Sequence, residues 1–341
     1  MDHPESPELV LPYGEDLGRR RRVAFWTGIG FLILVVLGGC TLAQPVLTRR
    51  GQAAHLADPA RLERDVRALS ETFAPRDWLH PENLDRAAEY LKTEFQSTGA
   101  RVREQTYTVK DKTYRNVIAR FGPEGGEPIV VGAHYDAFEE LPGADDNASG
   151  VAGLLELARL LSRQPLKAPV ELVAYTLEEP PFFGTKNMGS AQHAVSLRDR
   201  GVRLRGVLVL EMIGFFSDAK GSQDYPMAIM RAFYPSRGNF IAVVSNYGSL
   251  GLTRRVKKAM TAASDLPVRS MNAPAFIPGV DFSDHHPYWD AGYDAVMITD
   301  SAFNRNRAYH TPGDTADRLD YRRMAKVVEG VLEAVRRMDQ N

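Results

Sequence analysis

Cysteine is almost absent: Cys40 is the only one in 341 residues. A single thiol excludes an internal disulfide framework and a cysteine-rich zinc site, so any metal must be held by histidine, aspartate and glutamate. Redox chemistry falls away with it. There is also no excess of charge of either sign, with 42 Lys and Arg against 43 Asp and Glu. No overall field would recruit nucleic acid or acidic ligands, and nucleic-acid binding is set aside. Internal repeats and low-complexity tracts are lacking too. With 44% hydrophobic residues, the chain can bury one large core or two modest ones.

Long uncharged runs are scarce, with one exception at residues 23–48 (VAFWTGIGFLILVVLGGCTLAQPVLT). That run is long enough to cross a hydrocarbon core, which needs roughly 20 apolar residues in a helix. Arg19 to Arg22 stand directly before it, and positive flanks stay cytoplasmic. The expected organisation is a cytoplasmic tail (1–22), a transmembrane anchor or signal segment (23–48), a juxtamembrane linker (49–58) and a folded domain (59–341) on the extracytoplasmic side of the membrane. In the alternative reading, Leu37-Gly38-Gly39-Cys40 resembles a bacterial lipoprotein cleavage box that would leave a lipid on Cys40.

Beyond the linker, helical and strand periodicities alternate. Leu84, Ala87, Ala88, Leu91 and Phe95 recur at threes and fours, predicting a helix from Pro81 closed by Gly99. Strands are expected at Val102–Val109, Asn116–Phe121, Pro128–Ala133, Val170–Thr176, Gly206–Met212, Phe240–Ser245 and Ala295–Thr299. Helices are expected at Gly150–Leu161, Ser190–Arg198, 251–264 and Tyr321–Met338. This pattern predicts an α/β fold, a three-layer α/β/α sandwich around a central, mostly parallel mixed sheet. Ligands of such folds collect at the carboxyl ends of strands.

Acidic and imidazole side chains fall at those ends. His134 follows Ile129-Val130-Val131. Asp145 and Asp146 lie in the turn GADDNASG, Glu178 and Glu179 end a strand before two prolines, and Glu211 ends another; His310 sits in a late loop. Asp145 is equally well placed as a turn or cap residue. Glu211 stands in the apolar run Leu208 to Ile213, where a charge is costly unless paired or metal-bound. Two imidazoles and three carboxylates are the set that two Zn²⁺ ions need when one carboxylate bridges. A further carboxylate must stay unligated to carry a proton, and Glu178 is assigned as that base.

Taken as ordered motifs, His134-Tyr135-Asp136, Gly143 to Gly150, Glu178-Glu179, Glu211-Met212-Ile213-Gly214, Ser283-Asp284-His285 and Tyr309-His310-Thr311 resemble the zinc exopeptidases that include bacterial leucyl aminopeptidases, glutamate carboxypeptidase and glutaminyl cyclase. The resemblance implies that Asp146 bridges two zincs, that His134 and Glu211 serve one, and that Glu179 and His310 serve the other. It places Asp136 beside His134 to orient it, and leaves Asp284, His285 and Tyr309 around the site or its substrate. Two positions depart from the family pattern: Glu211, where aspartate is frequent, and Pro180 to Thr185, where many relatives carry glycine and a small apolar residue. The implied activity is aminopeptidase action on peptide substrates. The alternatives are a carboxypeptidase or dipeptidase, with Arg305 or Arg307 for the substrate carboxylate, a glutaminyl cyclase, or a non-catalytic, receptor-like protein.

Overall fold

The computed structural model describes residues 14–340, less the side chains of 14–18, 20 and 31–37. Two units emerge, one ending at Leu42 and one spanning Ala43–Asn341. The first is formed by helix α1 (Gly14–Ala43). Among the described residues no helix is long and apolar enough to cross a membrane. Rather than starting at residue 23, α1 takes in the charged turn Arg19 to Arg22, and it stops at Ala43 instead of reaching 48. Pro45, with no N–H and a fixed φ, cannot continue it. Much of the expected tail, residues 1–13, and the side chains of 31–37 lie outside the described residues.

The second unit is an α/β domain. Helix α2 (Pro59–Arg67) opens it, with proline at its first position and the Asp58 carboxylate accepting from the Ala60 N–H at 2.9 Å. Then follow α3 (Pro81–Ser97), β1 (Arg101–Val109), β2 (Lys112–Phe121), β3 (Ile129–His134), α4 (Gly150–Leu161), β4 (Val170–Tyr175), α5 (Gly189–Asp199), β5 (Gly206–Glu211) and β6 (Ile241–Ser245). The chain ends through α6 (Leu250–Ala263), β7 (Val268–Asn272), α7 (His286–Asp290), β8 (Ala295–Thr299) and α8 (Tyr321–Gln340).

Eight strands form one mixed sheet in the order β1-β2-β4-β3-β5-β8-β6-β7. The β4, β3, β5 and β8 strands run parallel, as do β6 and β7, whereas β1 with β2, β2 with β4, and β6 with β8 are antiparallel. Residues of β3, β4 and β5 are buried throughout because both faces of the sheet are covered. On one face Val131, Leu172 and Leu208 pack in a core shared with α4 and α8; on the other, Val130, Val173 and Val207 pack with α5 and with Tyr288 of α7. Three layers result, as the alternation of elements predicts. Strand β7 is not foreseen. Its residues alternate between buried and half-buried, and Val-Arg-Ser-Met-Asn has too few β-branched members to signal a strand.

Candidate metal centre

Three neighbouring strands, β3, β4 and β5, deliver acidic and imidazole groups to one end of the sheet, and two loops close over it. His134 is the last residue of β3. After β4 the chain turns so that the Asp136 carboxylate accepts the backbone N–H groups of Glu178 (3.2 Å) and Glu179 (3.1 Å). One carboxylate thus fixes both glutamates. The turn 144–149 is held from the far side by Asp314, whose carboxylate accepts from the Asp145 and Asp146 N–H groups at 3.0–3.1 Å. Gly143 opens it at φ +56°, where an added Cβ would lie 2.3 Å from the Asp146 carbonyl oxygen; only glycine fits so close an approach. Asn147 ties the turn to β5, donating to the Leu210 carbonyl at 2.8 Å and accepting from the Met212 N–H at 3.0 Å.

The resulting geometry is compact. His134 Nε2 lies 3.4 Å from Asp146 Oδ1, 3.4 Å from Glu211 Oε2 and 3.8 Å from Glu178 Oε2. His310 Nε2 lies 3.1 Å from the other Asp146 oxygen and 3.3 Å from Glu179 Oε2. Asp146 therefore turns one oxygen toward each imidazole. Three groupings have ligand atoms within 4.8 Å of one another and could hold a metal ion: His134, Asp146 and Glu211; Asp146, Glu179 and His310; and His134, Glu178 and Glu179. Both Nε2 atoms and Glu179 Oε1 are buried without a hydrogen-bond partner. Orphaned polar atoms converging on one point are what a cation would satisfy, so the donor set fits divalent metal.

Electrostatics agree. Burial pushes the Glu178 carboxyl well above its ordinary range, against the pull of His134, and raises Glu179 to about 8. Burial also opposes ionisation of Asp146, yet the two imidazoles facing it hold its carboxyl below the usual carboxylate range. For His310, burial disfavours the charge, but Asp146 and Glu179 outweigh it and hold the imidazole up at about 10. So many carboxylates in one dry place require positive charge.

The remaining sequence candidates sit around this cluster. Asp145 is turned away, accepting from the Gly214 N–H and the Asn306 amide, each at 3.0 Å, which makes it a strut between loops. Asp136 faces His134 with both its carbonyl (3.2 Å) and its carboxylate (3.6 Å) near Nδ1. Buried Asp284, near His134 and Glu211, is pushed up to about 7 by burial. His285 faces elsewhere: one ring nitrogen lies 2.7 Å from the Val280 carbonyl and the ring stands edge-on to Trp289. Tyr309 stacks on His310 at 3.8 Å between centroids.

Two residues escape sequence reasoning. Phe138 covers the other face of His310, nearly parallel at 4.1 Å. Arg76, fully buried, donates to the carbonyls of Leu69, Tyr135, Pro142 and Gly143, binding the loop after β3 to the turn that carries Asp146. An arginine in an aperiodic stretch gives no signal of such partners. Arg76→Met is expected to leave several buried carbonyls unpaired and to cost at least about 3 kcal/mol, measured as a lowered urea midpoint at unchanged m-value.

Residues 116–335 match the sequence pattern described as Peptidase family M28. The chain belongs to that family. This M28 chain is 50% identical over 312 residues to the Escherichia coli K12 protein named uncharacterized protein YfbL, covering 89% of this chain and 96% of that one. It is 29% identical over 223 residues to leucine aminopeptidase 1 of Grosmannia clavigera, covering 61% of this chain and 49% of that protein, so it spans about half that relative's length. In fold it is similar to LapA of Legionella pneumophila, described as an aminopeptidase, with a TM-score of 0.68 at 19% identity over 84% of this chain and 74% of LapA. Glutaminyl cyclases share the M28 fold as well.

Proposed function

We propose that this M28 chain is a two-zinc aminopeptidase. The observation that carries the proposal is Asp146, with one oxygen facing His134 and the other facing His310. In this reading Asp146 is shared, His134 and Glu211 complete one zinc site, and Glu179 and His310 complete the other. When bound, such a pair of ions polarises a scissile carbonyl and makes an attacking water more acidic. Glu178 stands slightly outside the set, at 3.8 Å from His134 against 3.4 Å for Asp146 and Glu211, and serves as the base. It accepts a proton from the attacking water at its carboxylate and returns it to the departing amine. Asp136 keeps Glu178 and Glu179 in place through their backbone N–H groups, and Ser283 donates to Glu211 at 2.7 Å, fixing the orientation of that ligand. The uncharged stretch 23–48 behind four arginines supports delivery of the catalytic unit to the extracytoplasmic side, and intact-mass measurement of the mature chain tells whether the stretch is retained or removed.

In the carboxypeptidase alternative both expected anchors already have partners, although Arg305 Nη2 is buried without one. Arg305 is buried and donates to Gln223 and to the Phe215 carbonyl, and Arg307 is paired with Asp224. A panel of amino-acid anilides with free and acetylated amines tests the proposal. Hydrolysis of the free-amine compounds alone, abolished by a chelator and restored by zinc, is expected. Equal hydrolysis of the acetylated compounds, or cyclisation of amino-terminal glutamine instead of hydrolysis, would overturn it.

A further inference from the structure

Glu211 is also the first residue of a row that crosses the sheet. It pairs with Thr299 of β8, Thr299 pairs with Ala242 of β6, and Ala242 pairs with Arg269 of β7. Directly paired residues place their side chains on the same face of a sheet, so Arg269 shares a face with Glu211, three strand spacings or about 14 Å away. Two residues along, Met297, Val244 and Met271 form a second, apolar row. All these residues line one open cleft of roughly 770 Å³, including its mouth, which begins at Glu211 and Tyr309. Phe240, Phe282, Phe303 and Tyr225 provide further lining.

Polar groups along the cleft are mostly committed. Tyr225 donates to the Pro235 carbonyl and Tyr234 to the Ser270 carbonyl. Asp224 is neutralised by Arg231 and Arg307. Arg269 is not: among the described residues it makes no hydrogen bond or ion pair, and its Nε is buried without a partner. A guanidinium held without an anion in an apolar cleft is a specific receptor for a carboxylate.

We propose that this cleft binds the part of a peptide substrate remote from the scissile bond, and that Arg269 selects substrates carrying a carboxylate at that remove. The inference rests on the aminopeptidase reading. An extended peptide covers at most 3.3–3.6 Å per residue, so the row from Glu211 to Arg269 corresponds to about four residues. The carboxylate is therefore the free C-terminus of a short peptide or an acidic side chain in the same place, and Arg269 is a specificity-determining residue rather than a catalytic one.

The test uses zinc-loaded full-length protein and apolar tri- and tetrapeptides made in three forms: C-terminal carboxylate, C-terminal amide, and amide with one glutamate. Wild type is expected to show a KM about tenfold to a hundredfold lower for the carboxylate form than for the neutral amide, the span of a charge-assisted hydrogen bond. Arg269→Met is expected to erase that difference at nearly unchanged kcat and zinc content, and Arg269→Lys to restore part of it. If the glutamate amide behaves like the carboxylate form, the side chain suffices; if it behaves like the neutral amide, the C-terminus is what is read. Equal KM for charged and neutral forms in wild type, or a parallel loss on all of them in Arg269→Met, overturns the inference while leaving the aminopeptidase reading standing. If wild type cleaves none of the peptides, that reading fails on its own; calorimetric binding of the carboxylate and amide forms then decides the role of Arg269, a preference lost in Arg269→Met supporting it and equal affinities overturning it.

Discussion

Replacing Glu178 by glutamine is expected to leave zinc content unchanged and to lower kcat by about 10²–10⁴, the range for a positioned general base. Glutamine keeps the volume of the side chain and loses the ability to take a proton. Because Glu178 lies outside the closer contacts of His134, its loss should spare metal affinity. The measurement is paired: metal content by elemental analysis and steady-state kinetics on the same preparation. A fall in both together would make Glu178 a ligand, and turnover near wild type would remove it from proton transfer altogether.

Asp146→Asn should produce the reverse pattern. Asparagine is nearly isosteric but uncharged and offers only one oxygen, so it cannot face His134 and His310 in the same way. Both proposed sites weaken at once. Metal content is expected to drop below one ion per chain under conditions that give two for wild type. Activity falls with it, because losing Lewis-acid stabilisation worth several kcal/mol corresponds to about 10³ or more in rate. Removing one buried negative charge also relieves the repulsion that raises Glu179, where Asp146 is the largest contribution after burial. The same change takes the ion-pair partner from both imidazoles, and because these hold Asp146 below the usual carboxylate range despite burial, that loss outweighs the relief at Glu179: the metal-free variant is expected to be less stable than metal-free wild type at neutral pH as well as inactive. Retention of two ions and full turnover would remove Asp146 from the shared position.

How much of this could be read before folding follows from particular residues. His134 and Glu211 are conspicuous because each interrupts or ends a run that is otherwise apolar, and a strand buried on both faces leaves a polar group only its end. Glu178 and Glu179 stand out for a similar reason. The family resemblance, carried by ordered short motifs, is borne out by the match over residues 116–335. Arg76, Phe138 and Arg269 were invisible. Arg76 acts on carbonyls up to 67 residues away, and no local periodicity encodes such a partner. Phe138 lies in a loop, where an aromatic ring has many uses. Arg269 lies on an edge strand whose residues resemble loop composition, so neither the strand nor its register could be foreseen. The uncharged run 23–48 is legible in the sequence but not the bounds of its helix, which begins at Gly14 and stops at Ala43, ahead of Pro45.

By itself, the sequence determined which side chains stand at strand ends, what metal chemistry their types allow, and which family the chain joins. Those properties are local, set by residue type and by short-range spacing. Only the tertiary structure decided that Asp146 turns an oxygen to each imidazole, that Asp136 grips both glutamates, and that Arg269 shares a row with Glu211. Sheet order and loop closure bring together groups far apart along the chain, and the distances between such groups belong to the packed fold rather than to any stretch of sequence.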